Sequence, residues 1–283
     1  MYRELKSNLK KRSLTRFLIL IVAFTFLSGC TVVETYSRFT DKKDPEKSIE
    51  YHVKAAFLHL QHGHTEPAKQ KLNEVLNERP NHPAALAGMA LALEREGEPE
   101  DAESYYRRSI KADPGYTRGK ELFGAFLFSR GRYQEALNQF EEVTRDKLYE
   151  NLAVANLNLG LCAIRLGQKE LARESFEKSV TINSKQTKPY IQLAKLSYEE
   201  QDYRFASRYY RVYEKNLGAV QNYTPASLML GYRIEKGAKR DDIANRYILL
   251  LAKLYPNSSE YAAYLKTQSK TNDVSTTVKG KES

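Results

Sequence analysis

The chain has 283 residues, of which 41% are hydrophobic, and a formal net charge of +10 at pH 7. Six basic residues and one acidic residue lie in the first 29 positions, so the rest of the chain carries a net charge of only +5. This modest charge, without any zinc-finger or helix-turn-helix signature, argues against a nucleic-acid-binding protein, and we expect no nucleic acid among the partners.

The first predicted element is a secretory signal, residues 1–29. A basic stretch precedes an eleven-residue apolar run, residues 17–27. The run is too short to span a hydrocarbon layer of roughly 30 Å at about 1.5 Å per residue. It ends in the sequence LSGC, which resembles a bacterial lipobox. The resemblance implies that cleavage leaves Cys30 as a lipidated N-terminus. It also favours an outer-membrane location on the periplasmic face, because Thr31 is not aspartate.

The segments on either side of the folded domain are predicted to be unstructured. Residues 30–47 are polar and charged without an apolar period, and we expect them to tether the lipid to the domain. Residues 267–283 are rich in Ser, Thr and Lys, and we expect a disordered tail. The folded domain is therefore predicted over residues 48–266.

An internal repeat covers this domain. Ala68 and Pro80 are twelve residues apart, and Ala102 and Pro114 repeat the pair thirty-four positions later. Each alanine follows a glycine by five residues and precedes a large apolar residue by four. A small residue also lies twelve positions before each alanine. The four turn glycines are Gly63, Gly97, Gly131 and Gly167.

This pattern resembles the tetratricopeptide repeat (TPR), a pair of packed helices. The small residues let the two helices cross closely, the glycine permits the turn between them, and the proline stops the second helix. Because one unit cannot bury its apolar face alone, neighbouring units stack. We predict an all-α fold, a superhelical solenoid of about six TPR helix pairs whose first helices line a concave groove.

Units five and six depart from the pattern. Unit five has Gln201 where the turn glycine is expected, and it lacks the closing proline. Unit six keeps Gly231 and Pro256 but has one extra residue in its turn, near Gly237. The connection between units three and four, residues 145–151, is two residues longer than the others.

No catalytic pattern accompanies the repeats. All five histidines fall between positions 52 and 82, and the stretch HLQHGH places His59 and His62 one helical turn apart. Neither a cysteine nor a cluster of carboxylates completes a metal shell there, so we interpret these histidines as part of a solvated turn. Cys162 lies within a predicted first helix and is interpreted as a small core residue. The sequence favours a binding scaffold without a cofactor or metal.

The predicted binding surface is the groove lined by the first helices. We expect apolar contacts with a partner at Val53, Phe57 and Leu60 in unit one, and at Ala87 and Leu91 in unit two. Such a stripe suits an amphipathic partner segment, although the same residues would also serve to pack neighbouring first helices. Charged positions also fall on this face in units two, three and five: Glu94, Arg95, Arg118, Glu121, Lys188 and Lys195.

The order of the repeat units indicates which family of TPR proteins the chain resembles. The stretch AFLHLQHGHTEPAKQKLNEVLNERPNHP, which begins at Ala56, and the stretch GYRIEKGAKRDDIANRYILLLAKLYP, which begins at Gly231, resemble the PilF/PilW family of type IV pilus biogenesis lipoproteins, the pilotins. The resemblance implies a non-enzymatic protein that binds secretin subunits of the type IV pilus. It also implies that the lipid anchor helps to bring these subunits to the outer membrane, where they multimerise.

Two other hypotheses stay open. A TPR lipoprotein with the same anchor would also suit an adaptor for β-barrel assembly or for cell-wall enzymes, and copurification with a barrel-insertion complex would favour that function. An enzyme or metal protein built on the histidines would be indicated by stoichiometric zinc after mild purification.

Overall fold

The computed structural model describes residues 44–279. Within this range the regular structure consists of thirteen α-helices and one short 3-10 turn, Val220–Asn222. The predicted signal, Cys30 and most of the predicted tether lie outside the described residues. The helices are α1 (Pro45–Gln61), α2 (Thr65–Glu78), α3 (Pro83–Glu96), α4 (Pro99–Ala112), α5 (Thr117–Ser129), α6 (Tyr133–Arg145), α7 (Leu152–Arg165), α8 (Lys169–Ile182), α9 (Lys188–Glu199), α10 (Tyr203–Leu217), α11 (Pro225–Gly237), α12 (Asp241–Leu254) and α13 (Ser259–Lys279).

The chain divides into two compact units, Met1–Ala55 and Ala56–Ser283. The described part of the first unit is the start of α1, where the backbone N–H of Glu46 donates to the Asp44 carboxylate (3.1 Å). The helix begins at Pro45, three residues before the predicted domain boundary, because a proline is well tolerated in the first turn.

The second unit has the packing of a TPR array. Helices α3, α5, α7, α9 and α11 each pack most extensively against the helix that follows. None of the helices in the described range is long and apolar enough to cross a membrane. The pairwise packing of consecutive helices confirms the predicted all-α solenoid of TPR helix pairs.

Close helix crossings explain the small residues of the repeat. A Cβ atom added at Gly160 would lie 2.5 Å from Cε1 of Phe176, and one added at Gly124 would lie 3.0 Å from Cζ of Phe140. Both rings are at most 1% exposed. The aromatic residue of each pair therefore fills the space that the glycine leaves open, as the pattern predicts.

The turn after each first helix uses left-handed backbone. Gly63, Gly97, Gly131 and Gly167 have φ between 74° and 82°. In units five and six the same conformation falls on residues with side chains, Gln201 (φ 62°) and Lys239 (φ 59°). Lys239 is five residues before Ala244, so it holds the turn position of unit six, and the extra residue lies in α11.

Units two to five each bury an aromatic ring at one equivalent position of the core, where units one and six have Leu72 and Ile248. Tyr106, Phe140, Phe176 and Tyr210 are all almost completely buried. Burying a large apolar side chain contributes roughly 1.5–3 kcal/mol to stability. The Tyr210 hydroxyl still finds a partner, because it donates to the backbone carbonyl of Ser227 (2.7 Å).

The last helix extends beyond the predicted end of the domain. Helix α13 packs on α11 and α12 and its backbone stays helical to Lys279, across most of the segment predicted as a disordered tail. Residues 267–279 contain neither glycine nor proline, and Gly280 follows the last helical residue. The composition alone therefore does not stop the helix within this segment.

Candidate partner-binding face

Side chains from three first helices meet on one surface, which we call the first-helix face. Its members lie on α1, α3 and α5: Phe57, Leu91, Glu94, Arg95, Arg118 and Glu121. Helix α3 packs against α5, and the Arg95 guanidinium donates to the backbone carbonyl of Leu60 at the end of α1. These contacts hold residues from three consecutive repeats on the same face.

An arginine covers the aromatic ring at one end of this face. The guanidinium carbon of Arg118 lies 4.3 Å from the centre of the Phe57 ring. Such a cation–π contact contributes about 0.5–2 kcal/mol, depending on desolvation. Among the described residues, no carboxylate forms a salt bridge with Arg118. The pair therefore presents an apolar surface beside a cation that is available to a partner's carboxylate.

The first carboxylate of the face is held by a buried tyrosine. The Tyr106 hydroxyl donates to the Glu94 carboxylate (3.0 Å). Burial raises the pKa of Glu94 above its usual range, and the hydrogen bond from Tyr106 opposes part of that shift. Burial is also the main cause that raises the pKa of Tyr106, so this hydroxyl stays protonated and remains a donor.

The second carboxylate depends on the longer connection between units three and four. The Tyr149 hydroxyl donates to the Glu121 carboxylate from this connection. Burial raises the pKa of Glu121, and the hydrogen bond from Tyr149 and the charge of Arg118 lower it by less. The longer connection is visible in the sequence, but a role for Tyr149 was not predicted; the two-residue insertion was the only signal for it.

Three of the five predicted contact residues are partly accessible. Val53, Phe57 and Leu91 are half-buried, so their contact with a partner stays a prediction. Leu60 is 1% exposed and Ala87 is fully buried. We therefore correct the assignment of Leu60 and Ala87, because side chains enclosed within the chain stabilise its packing and cannot contact a partner directly.

A cavity of about 230 Å³ lies further along the first helices, between α7 and α9. Ile164 and Leu196 give it apolar walls, and Lys195 lies at its side. At its edge Lys169 forms a salt bridge with Glu199 (3.5 Å). The cavity therefore combines apolar walls with a charged edge.

The histidines have varied surroundings. The rings of His59 and His62 lie 6.1 Å and 6.3 Å from the ring of His64. Nδ1 of His82 accepts a hydrogen bond from the backbone N–H of Ala85 (3.2 Å), which caps α3. In the described part of the chain, no group of three His, Cys, Asp or Glu side chains is placed to hold a metal ion.

Cys162 has the environment of a core residue. It is fully buried in α7, and burial raises the pKa of its thiol to about 12. A thiol in this state is a poor nucleophile near neutral pH, since the thiolate is the reactive form.

Comparisons with known proteins agree with this architecture. The tetratricopeptide repeat family model matches residues 53–117 and 127–187. The type IV pilus assembly protein PilF of Pseudomonas aeruginosa is 32% identical over 238 residues, which cover 84% of this chain and 93% of PilF. The chain belongs to the PilF family. An uncharacterised Haemophilus influenzae protein is 23% identical over 172 residues, covering 61% of this chain and 94% of its own length.

Solved structures of the PilF family extend the comparison to three dimensions. The structure of Pseudomonas aeruginosa PilF superimposes with a TM-score of 0.72 at 32% identity, covering 78% of this chain and 98% of that one. The crystal structure of PilW, a type IV pilus biogenesis factor, gives a TM-score of 0.65 at 21% identity and covers 77% and 98% of the two chains. The PilW match shows the shared fold alone.

Proposed function

We propose that this protein is an outer-membrane lipoprotein, a pilotin, that binds subunits of the type IV pilus secretin and promotes their localisation and multimerisation. The observation that carries the proposal is the 32% identity to a type IV pilus assembly protein over 84% of the chain. This protein would act as a scaffold without catalysis or a cofactor.

The first-helix face is the proposed contact surface for the secretin. Phe57 and Leu91 supply half-buried apolar surface, which an amphipathic segment can cover. Arg118 lies over Phe57, and Arg95 is also on this face. A secretin segment with apolar side chains next to a carboxylate would match both features, because the guanidinium fork binds carboxylates well.

The lipid on Cys30 is the proposed signal that targets the protein to the outer membrane. Stable attachment to a membrane requires more than one acyl chain, which the lipobox type of processing supplies. The polar residues that follow Cys30 would give the folded domain the reach to meet a secretin subunit before it assembles.

Binding to purified secretin subunits tests the contact surface. The variant Phe57→Ser/Leu91→Ser is expected to bind at least about tenfold more weakly, because buried apolar anchors dominate such interfaces. Leu148→Ser is the matched control, since Leu148 is 95% exposed and lies in the connection between α6 and α7. Equal affinity of the double variant and the control would contradict the proposed surface. Copurification with a barrel-insertion complex in place of the secretin would contradict the proposed partner.

A further inference from the structure

Four basic side chains form a straight stripe on helix α10. Arg204, Arg208, Arg211 and Lys215 are spaced by four, three and four residues, which places them on one side of the helix. All four are exposed, whereas Ala206, Ser207, Tyr210 and Tyr213 on the opposite side are buried. At about 1.5 Å per residue the stripe is roughly 16 Å long. We call these four residues the α10 stripe.

The α10 stripe differs from the second helices of the preceding units, each of which pairs at least one cation with a carboxylate of the same helix. Within the described residues no salt bridge involves any member of the stripe. The pairs on α2, α4, α6 and α8 are Lys71–Glu74, Arg107–Glu103, Arg145–Glu142 and Lys178–Glu174. The only acidic residue of α10, Glu214, accepts a hydrogen bond from Tyr223 instead (2.7 Å). The stripe therefore keeps its positive charge uncompensated.

The same charge imbalance extends around the stripe. Residues 183–258 contain thirteen Lys and Arg against seven Asp and Glu, a net charge of +6. This is larger than the net charge of +5 on the whole of residues 30–283. Helix α12 packs beside α10 through Tyr210 and Tyr247, whose ring centres are 5.4 Å apart. Arg246 and Lys253 are exposed on α12.

Exposed apolar side chains accompany these cations. Phe205 is 36% exposed on α10, and the guanidinium carbon of Arg204 lies 5.1 Å from the centre of its ring. Leu249, between Arg246 and Lys253 on α12, is 69% exposed. Cations interleaved with exposed apolar side chains are typical of helices that lie on a membrane surface.

We propose that the α10 stripe, with the neighbouring face of α12, binds the surface of an anionic phospholipid membrane. The guanidinium groups would bind lipid phosphates, for which their planar fork is well suited, while Phe205 and Leu249 would enter the interface. This site is separate from the first-helix face, so the two can be occupied together. The proposal uses the lipid anchor of the proposed function only to bring the stripe near a membrane.

Flotation of the predicted mature chain, residues 30–283, with lipid vesicles tests the proposal. The chain carries Cys30→Ala, so that neither the basic, apolar signal segment nor the proposed lipid contributes to binding. The vesicles contain either about one-third phosphatidylglycerol or phosphatidylcholine alone. A basic residue close to an anionic membrane surface contributes roughly fivefold to binding. The variant Arg204→Gln/Arg208→Gln/Arg211→Gln/Lys215→Gln is therefore expected to bind anionic vesicles at least about tenfold more weakly.

A matched control removes the same charge elsewhere. The variant Lys71→Gln/Arg107→Gln/Arg145→Gln/Lys178→Gln also loses four cations, one from each of α2, α4, α6 and α8. It is expected to bind within about threefold of the unsubstituted chain, because those cations already face carboxylates. Equal losses in the two variants would overturn the proposal, since net charge alone would then explain binding.

Salt dependence gives a second test that requires no variant of the stripe. Raising the ionic strength to about 1 M shortens the screening length to roughly 3 Å and is expected to abolish the preference for anionic vesicles. Equal binding to both vesicle types at low salt would overturn the proposal. An α10 variant that floats normally but no longer retains secretin would also overturn it, because the stripe would then bind a protein partner. The vesicle measurements themselves contain no secretin, so their outcome is independent of the proposed pilotin function.

Discussion

The tight helix crossing in unit four gives a direct test of how the repeat is packed. We consider Gly160→Ala, a change that normally stabilises a helix by about 1 kcal/mol. Here the added Cβ would lie 2.5 Å from Cε1 and 2.7 Å from Cδ1 of Phe176. The Phe176 ring is fully buried, so it cannot move aside into solvent.

The expected magnitude follows from two opposing effects. Overpacking a well-filled core costs typically 1–3 kcal/mol, against a gain of about 1 kcal/mol in helix propensity. We therefore expect Gly160→Ala to lower the free energy of unfolding by about 1 kcal/mol. Phe176→Leu is destabilising by itself, but it opens the space that the new methyl group needs. The double variant should then be more stable than the sum of the two single effects predicts.

Urea unfolding of the four chains in this cycle measures the coupling. Ala125→Gly, at an exposed position of α5, calibrates the propensity difference in the same protein. Overpacking against Phe176 would be refuted if Gly160→Ala were at least as stable as the unsubstituted chain and its effect were additive with that of Phe176→Leu.

Three further predictions concern single residues. Gln201→Gly should raise the free energy of unfolding by up to about 1 kcal/mol, because glycine removes the backbone strain of a residue with a side chain at φ 62°. The reverse change, Gly167→Gln, should lower the free energy of unfolding. Urea unfolding measures both effects. Burial raises the pKa of Glu121, so the stabilising protonated form predominates at acid pH and is lost as the pH rises through the folded-state pKa. Glu121→Gln should therefore gain stability over the unsubstituted chain at pH 7.5 but not at pH 4, and a gain that is independent of pH would contradict the cause given. In the full chain with Cys30→Ala, the buried Cys162 should react with Ellman's reagent only after unfolding, and rapid reaction of the folded chain would contradict its assignment to the core.

The sequence was sufficient to predict the helix pair of each repeat, because the residue spacing is set by contacts within one unit. The distances from Gly160 and Gly124 to their aromatic partners are fixed by local helix geometry, so a regular pattern reveals them. The turn position is also fixed by geometry, which is why Gln201 and Lys239 adopt the backbone conformation of the missing glycines.

Contacts between units were harder to predict. The stacking of Arg118 on Phe57 joins units one and three, and no spacing within one repeat encodes it. Leu60 and Ala87 were assigned to the groove because the same first-helix positions can either line the surface or pack against a neighbour. Only the arrangement of adjacent helices distinguishes these two cases.

The uncompensated charge of the α10 stripe was also not recognised from the sequence. Its cations were visible in the sequence, but pairing depends on which carboxylates lie within reach. Arg173 on α8, for example, pairs with Glu200, which follows the next helix of the array.

Secretin assembly in a strain that lacks this gene is the most direct test of the proposed function. The unsubstituted chain and the Cys30→Ala variant are each returned to that strain, and membrane fractions are run on gels that preserve the secretin multimer. We expect the unsubstituted chain to restore multimers in the outer membrane, and the variant to leave secretin as monomers outside it. Normal multimers in the strain without this protein would contradict the proposed function.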